Sequence, residues 1–483
     1  MKSVAEFVSA MRAVAPPYCS ELTTSQQREL SALTRQLMAA RPEARAELGR
    51  FGAVGDRTVA LPEAELRDWL SGRTILVTGG TGCIGSVLME ELARLEPARL
   101  VSVSRGQTVS WPARPGVEYL QADISRPKDL AAAFRRVRPD LVFHLAAQRD
   151  PGLAEREVVL TLRSNVLGMR NVVAACIDAG VTELVAATTG KALRPYSREV
   201  YTAGKRAAEW VLAGAARQGM RVSANRFTHV VDNSIVATRL QSWAADGVVR
   251  VHDPDTMFYA QSARESARLM LWGGLRTKPG ALHISAINDL GWPISLLDLA
   301  IAILQEADST SPIYLSGHDP GYETVPFPAL YDPLSSGDVS PLLSAFEAGS
   351  SWNDAEVGID TCAMAFDHSR VPADALGCLE EACQRNDAKQ ARARLDELSW
   401  HLFEATLAEV PVSTLRRAAA LTQPYADSLS CDHARMLARI RQHAELDHLE
   451  SVLSVPAAAV PAQAVLLQAE QPQPELAGPG LIG

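Results

Sequence analysis

An apolar run, Thr74-Ile75-Leu76-Val77-Thr78, leads directly into Gly79-Gly80-Thr81-Gly82-Cys83-Ile84-Gly85, and helical spacing resumes immediately behind it. This order of strand, glycine loop and helix constrains the fold more than any other stretch of the chain. Glycines placed there let the backbone approach a pyrophosphate held at a helix N-terminus. The pattern then repeats, with a strand at 100–104, a strand at 117–121, a helix at 130–137 and a strand at 141–145. A long helix around 158–179, a strand at 183–187, a helix at 200–218 and a strand at 221–226 come next. Such alternation predicts an α/β chain built on a Rossmann-type, doubly wound parallel sheet.

The remaining residues are read around that core. Residues 1–70 are expected to form a helical N-terminal extension, 71–235 the NAD(P)-binding domain, and 236–340 a small α/β cap that binds substrate. Residues 341–455 read as a helical C-terminal extension, and 456–483, rich in Ala, Pro and Gln, as a disordered tail. With 483 residues and 47% hydrophobic content the chain can fill two or three such units. A net charge of −9 leaves no basic surplus for nucleic-acid phosphates. Seven cysteines without C-x-x-C spacing fit reduced thiols, and no metal site is expected. The first residues lack a signal-like apolar run, and the apolar stretch at 452–467 is broken by Pro456 and Pro461. A cytoplasmic protein without membrane attachment is the expectation.

Two further motifs carry chemistry. Tyr201 and Lys205 lie four residues apart on one helix face, where the ammonium can lower the phenol's pKa towards that of a working base. Removing a hydride from a carbinol carbon requires such a base for the hydroxyl proton. Thr188 and Thr189, at the end of the preceding strand, are placed to orient that hydroxyl. Lysine is scarce, with six among 47 basic residues, yet Lys191 and Lys205 both fall here. In the glycine loop Gly79, Thr81, Gly82, Cys83, Ile84 and Gly85 are candidate cofactor contacts, with Asp123 and Ile124 beside the adenine. The second strand ends in Ser104-Arg105 where an acid would grip a ribose 2′-hydroxyl. An arginine there accepts a 2′-phosphate, which favours NADP slightly over NAD.

With these motifs in place, residues 48–335 resemble the extended short-chain dehydrogenase/reductases, and within them the CapD-like polysaccharide-biosynthesis proteins that act as nucleotide-sugar 4,6-dehydratases. His144-Leu145-Ala146-Ala147-Gln148-Arg149-Asp150 sits where that family has H-A-A-x-K-H, and Ser164-Asn165-Val166-Leu167-Gly168 resembles its N-N-V-x-G block. Thr188-Thr189-Gly190-Lys191 matches S-T-D-K except at one position, and Arg226 matches the arginine of R-F-G-N-V. The resemblance implies cofactor contacts from Leu145, Ala146 and Ala147, a role for Lys191 in moving protons or binding phosphate, and Lys205 on the nicotinamide ribose. It also implies a UDP-linked sugar as substrate, contacted by Arg149, Asn165, Arg226 and His229, and a homodimer or higher homo-oligomer formed through helices at about 155–179 and 200–218.

The departure is Gly190. The family's aspartate there is the acid that helps expel a hydroxyl, and glycine has no side chain to replace it. Glu199 and His229 are the candidate substitutes. Three readings stay open: a nucleotide-sugar dehydratase or epimerase, an NAD(P)-dependent oxidoreductase acting on a non-sugar metabolite, and a non-catalytic dinucleotide-binding protein.

Overall fold

The computed structural model describes residues 3–106, 113–323, 325–330 and 336–445, so the tail at 456–483 lies outside the described residues. Its centre is a nine-stranded sheet. Six strands come from the nucleotide-binding segment: β1 (Thr74–Thr78), β2 (Arg99–Ser104), β3 (Val117–Gln121), β4 (Leu141–His144), β5 (Glu183–Thr189) and β6 (Arg221–Phe227). They lie parallel in the order 3-2-1-4-5-6. The run of apolar residues in β1 reflects burial on both faces, since Ile75, Leu76 and Val77 are fully enclosed. Helices Pro127–Val137, Gly168–Ala179 and Val200–Arg217 cover one face, and helices Cys83–Arg94 and Ala263–Arg276 cover the other. Strand order reverses between β1 and β4, so a crevice opens above their carboxyl ends.

Outside this core the expected boundaries shift. Leu282–Ile287, from the segment expected to be a separate cap, pairs parallel to β6 and extends the main sheet. The C-terminal extension, expected to be helical, first adds an antiparallel hairpin, Ser351–Asp354 and Ile359–Met364, on that strand's outer edge. Ile359-Asp360-Thr361-Cys362-Ala363-Met364 alternates too weakly to read as a strand, because both its faces are covered and five of its six residues are buried. The N-terminal helices are not an appendage either. Phe7, Met11, Leu30, Leu37 and Phe51 share one core with Leu240, Val249, Ile301 and Tyr314 of the cap.

Four buried charges tie the extension to the Rossmann core. Arg226 uses all five donors: Nε and Nη2 on Glu209, both Nη on Glu347, and Nη1 on the Leu342 carbonyl, at 2.7–3.0 Å. Arg206 adds a 3.0 Å contact to Glu347. The helices Ala375–Gln384 and Ala388–Leu407 then lie along the helices at 158–179 and 200–217, with Arg170 on Glu380 at 2.8 Å and Arg392 on Glu155 at 2.6 Å. The chain's own C-terminal helices therefore pack against part of the faces expected to form a dimer interface. No described helix is long and apolar enough to cross a membrane, and the described residues contain no cluster able to hold a metal ion.

Candidate active site

A cleft of about 2940 Å³ runs from the glycine loop past Thr188, Thr189 and Tyr201 to residues contributed by the C-terminal extension. On the first wall the backbone sets the geometry. Gly79 has φ +76°, and a Cβ there would lie 2.7 Å from the Ala146 nitrogen. A Cβ on Gly85 would lie 2.1 Å from the Gly79 carbonyl oxygen, so any larger residue breaks the turn. Helix Cys83–Arg94 starts at Gly82 with no side chain capping its amides, which leaves those donors and the positive end of the helix facing the cleft. Burial pushes the Cys83 thiol up to about 11, so it adds no negative charge beside them. Thr81, Ile84, Ser104, Arg105, Ile124, Leu145, Ala146 and Ala147 line the same stretch. This cradle fits a dinucleotide pyrophosphate. Asp123 caps the turn that follows β3, its Oδ1 accepting from the Ser125 amide and hydroxyl at 2.9 and 2.8 Å.

Tyr201 and Lys205 are both buried on helix Val200–Arg217, and the Lys205 Nζ approaches the Ala187 carbonyl at 3.5 Å. Burial lowers the Lys205 pKa to about 8 and raises that of Tyr201 to about 12. Within the protein the phenol is drawn back down by a hydrogen bond with Thr189 and by the Arg149 charge, rather than by Lys205 as the helix spacing predicts. The two threonines divide their work. Thr189 meets the phenol, whereas Thr188 Oγ1 donates to the Asn225 carbonyl at 3.3 Å.

The opposite wall departs furthest from the sequence reading. The space that a side chain at Gly190 would enter is filled by Leu342, whose Cδ2 would lie 2.6 Å from a Cβ there. An apolar group from the C-terminal extension thus stands where the resemblance places an acid. Neither expected substitute fits the acid's role. Glu199 is ion-paired with Arg194 at 2.8 Å and accepts from Thr202 at 2.7 Å; burial opposes its charge, yet Arg194 and Lys191 hold its pKa below the usual carboxylate value. Burial and Arg149 push His229 down to about 4, so the ring is neutral at neutral pH, bonded to Ser234 at 2.6 Å and packed against Phe51 and Phe258.

Of the expected substrate contacts, Arg149 and His229 line the cleft, and Arg149 reaches the Asn233 amide oxygen at 3.2 Å. Arg226 is fully buried and its donors are exhausted by the ion network described above. Asn165 is likewise buried. It lies in a π-helical turn, Arg163–Leu167, and clamps the Gln148 backbone at 2.8 and 2.9 Å, so it positions the loop carrying Arg149. Lys191 donates to the Gly321 carbonyl at 3.0 Å and sits 4.5 Å from the centre of the Tyr322 ring; burial lowers its pKa to about 8. Glu323, beside Tyr322, also lines the cleft, and nothing in the local sequence marks it.

A parallel 3-2-1-4-5-6 sheet with a glycine loop at the switch point and a Thr-Tyr-Lys set across the cleft defines an extended short-chain dehydrogenase/reductase fold. Residues 75–324 match the model of the family described as polysaccharide biosynthesis protein, and the chain belongs to that family. It is 27% identical over 285 residues to the capsular polysaccharide biosynthesis protein CapD of Staphylococcus aureus, a match covering 56% of this chain and 47% of that one. It is 29% identical over 244 residues to a UDP-N-acetylglucosamine 4,6-dehydratase (inverting) of Campylobacter jejuni, covering 48% of this chain and 71% of the relative. CapD and the Bacillus subtilis protein EpsC are each matched over about half their length, 47%. Among solved structures, Pen from Bacillus thuringiensis superposes with a TM-score of 0.52 at 19% identity, covering 61% of this chain and 89% of that one, a likeness of fold.

Proposed function

We propose that the chain oxidises a hydroxyl of a nucleotide-linked sugar, with UDP as the nucleotide, using NAD(P), and leaves the neighbouring hydroxyl in place, as an epimerase-type enzyme and not a dehydratase. The observation that carries this reading is Leu342 against Gly190: no proton donor stands at the position from which the family's acid acts. Elimination of a hydroxyl needs a proton delivered to the leaving oxygen, and an apolar group there supplies none.

The nicotinamide, when bound, accepts the hydride. The protein's part is to move the hydroxyl proton and to fix the sugar. Tyr201 takes that proton; Thr189, bonded to the phenol, orients the reacting hydroxyl, and Arg149 supplies the positive charge that favours the phenolate. Lys205 holds the nicotinamide ribose, a role supported by its burial beside β5, with Nζ 3.5 Å from the Ala187 carbonyl. Arg105 lines the cleft at the end of β2, which favours the 2′-phosphate of NADP.

Denaturing the purified protein and identifying the released dinucleotide tests the cofactor assignment. Incubation with UDP-N-acetylglucosamine and UDP-glucose then tests the reaction: the expected product keeps the mass of its substrate, and loss of water overturns the reading.

A further inference from the structure

A hydride transfer alone leaves the second wall of the cleft without a task, yet that wall carries a cluster of partly buried charges. Arg194 sits between two carboxylates, Glu199 at 2.8 Å through Nη1 and Glu323 at 2.8 Å through Nε. Lys191 approaches Glu199 at 3.9 Å, and His433, from helix Cys431–His443, approaches the other oxygen of Glu323 at 3.8 Å. Lys191, Arg194 and Glu323 all line the cleft that contains Tyr201 and Gly190. The two carboxylates share one guanidinium but not one environment. Glu199 has Arg194, Lys191 and the Thr202 hydroxyl, and stays ionised. Glu323 has Arg194 on one side and His433 on the other, and burial together with the Glu199 charge outweighs Arg194 and Lys191, lifting it to about 7. His433 itself is held below its ordinary value by burial, with Asp432 opposing and Arg194 adding to the effect, so it is a neutral neighbour. Two acids pushed apart in this way divide into a permanent anion and a group that trades protons near neutrality.

Resting on the function proposed above, we propose that Glu323 is the base that takes the proton from the sugar carbon next to the newly formed ketone and returns a proton to it. In this step the C–H bond breaks, its electron pair moves into an enolate, and an O–H bond forms on the Glu323 carboxyl. Tyr201, already carrying the proton of the oxidised hydroxyl, donates a hydrogen bond to the enolate oxygen and keeps that proton. Return of a proton re-forms the C–H bond, and because Glu323 exchanges with solvent the returned hydrogen is solvent-derived. No leaving group departs and no further oxidant is needed. Glu199 keeps Arg194 anchored, which makes it a positioning residue.

The test is carbon-bound deuterium exchange in heavy water, read by mass spectrometry on the UDP-sugar and on its keto form supplied directly. Wild type incorporates deuterium next to the carbonyl carbon, and the exchange rate rises with pH through about 7, because the protonated carboxyl accepts nothing. Glu323→Gln, which keeps a hydrogen-bonding partner for Arg194, loses exchange by about 10²–10⁴-fold and loses that pH dependence. The supplied keto sugar needs no oxidation, so wild type exchanges it without hydride transfer, and a failure of the hydride-transfer reading is separable from a failure of this one. Carboxyl-labelled glutamate followed by NMR shows one resonance titrating near 7 that disappears in Glu323→Gln, independent of any substrate. Exchange in Glu323→Gln at the wild-type rate, or no exchange from the keto sugar in wild type, overturns the assignment.

Discussion

The two walls of the cleft are built on different principles. The wall around the glycine loop is backbone: Gly79, Gly82 and Gly85 matter because of where a Cβ would fall, and the donors they expose are the first amides of one helix. The facing wall is side chains brought from distant parts of the chain, with Gly190, Lys191 and Arg194 behind β5, Glu323 at the end of the cap, Leu342 from the extension and His433 near the C-terminus. The first wall is encoded in a short stretch of sequence. On the second, the space a side chain at Gly190 would take is filled by a leucine 152 positions along the chain. In the function proposed here, binding a dinucleotide and setting the fate of the oxidised sugar thus fall to different walls.

Six substitutions, taken in four tests, sharpen that contrast. The largest effect belongs to Tyr201→Phe, which removes the proton acceptor while leaving the first wall intact: turnover falls about 10²–10⁴-fold, and dinucleotide affinity, measured by fluorescence titration, is unchanged. Next is Glu347→Ala. It leaves Arg226 and Arg206 buried beside the single carboxylate of Glu209, and losing one partner of a buried ion network costs about 3–5 kcal/mol. Denaturant unfolding measures it, and a cost under about 1 kcal/mol would show that the extension is not held by these charges.

Gly190→Asp comes third. Its Cβ meets Leu342, and the carboxylate enters an apolar contact, at a cost of about 1–3 kcal/mol. Leu342→Ala in the same chain opens room for the carboxylate, so the double variant recovers stability and begins to release water from the sugar. If the single variant is as stable as wild type and dehydrates, Leu342 is not what separates the two walls. The smallest effect is the difference between the threonines. Thr189→Val lowers turnover about tenfold, because the hydrogen bond with the reacting phenol is lost, whereas Thr188→Val, bonded to the Asn225 carbonyl, changes it less. Steady-state kinetics on the two variants decides the order.

The same division explains what the chain reveals as a sequence. The strand, glycine loop and Tyr201–Lys205 spacing are local patterns whose geometry is set by residues a few positions apart, so the core sheet and the cofactor cradle are readable directly. The strand expected at 281–284 is present as Leu282–Ile287, but its membership of the main sheet is not local information, and the hairpin at 351–364 is harder still, because burial of Ile359–Met364 on both faces erases the alternation that marks a strand. Arg226 illustrates a subtler limit. Its type and place in the chain fit a substrate contact, and only the fold brings Glu209 and Glu347 to its five donors. Glu323 stands in a loop rich in Gly and Pro with no periodicity around it, and its value as a proton carrier arises from Arg194, Glu199 and His433, none of them a sequence neighbour. Gly190 is legible as a missing acid, but the leucine that takes its space is not.

The most direct measurement is the mass of the product formed from UDP-N-acetylglucosamine or UDP-glucose in heavy water, with the dinucleotide present. Retention of the sugar's oxygen atoms together with uptake of deuterium at carbon is the result expected of a cleft whose acid position is occupied by Leu342. A product lighter by one water would contradict it, and would mean that a proton reaches the leaving hydroxyl despite the leucine against Gly190.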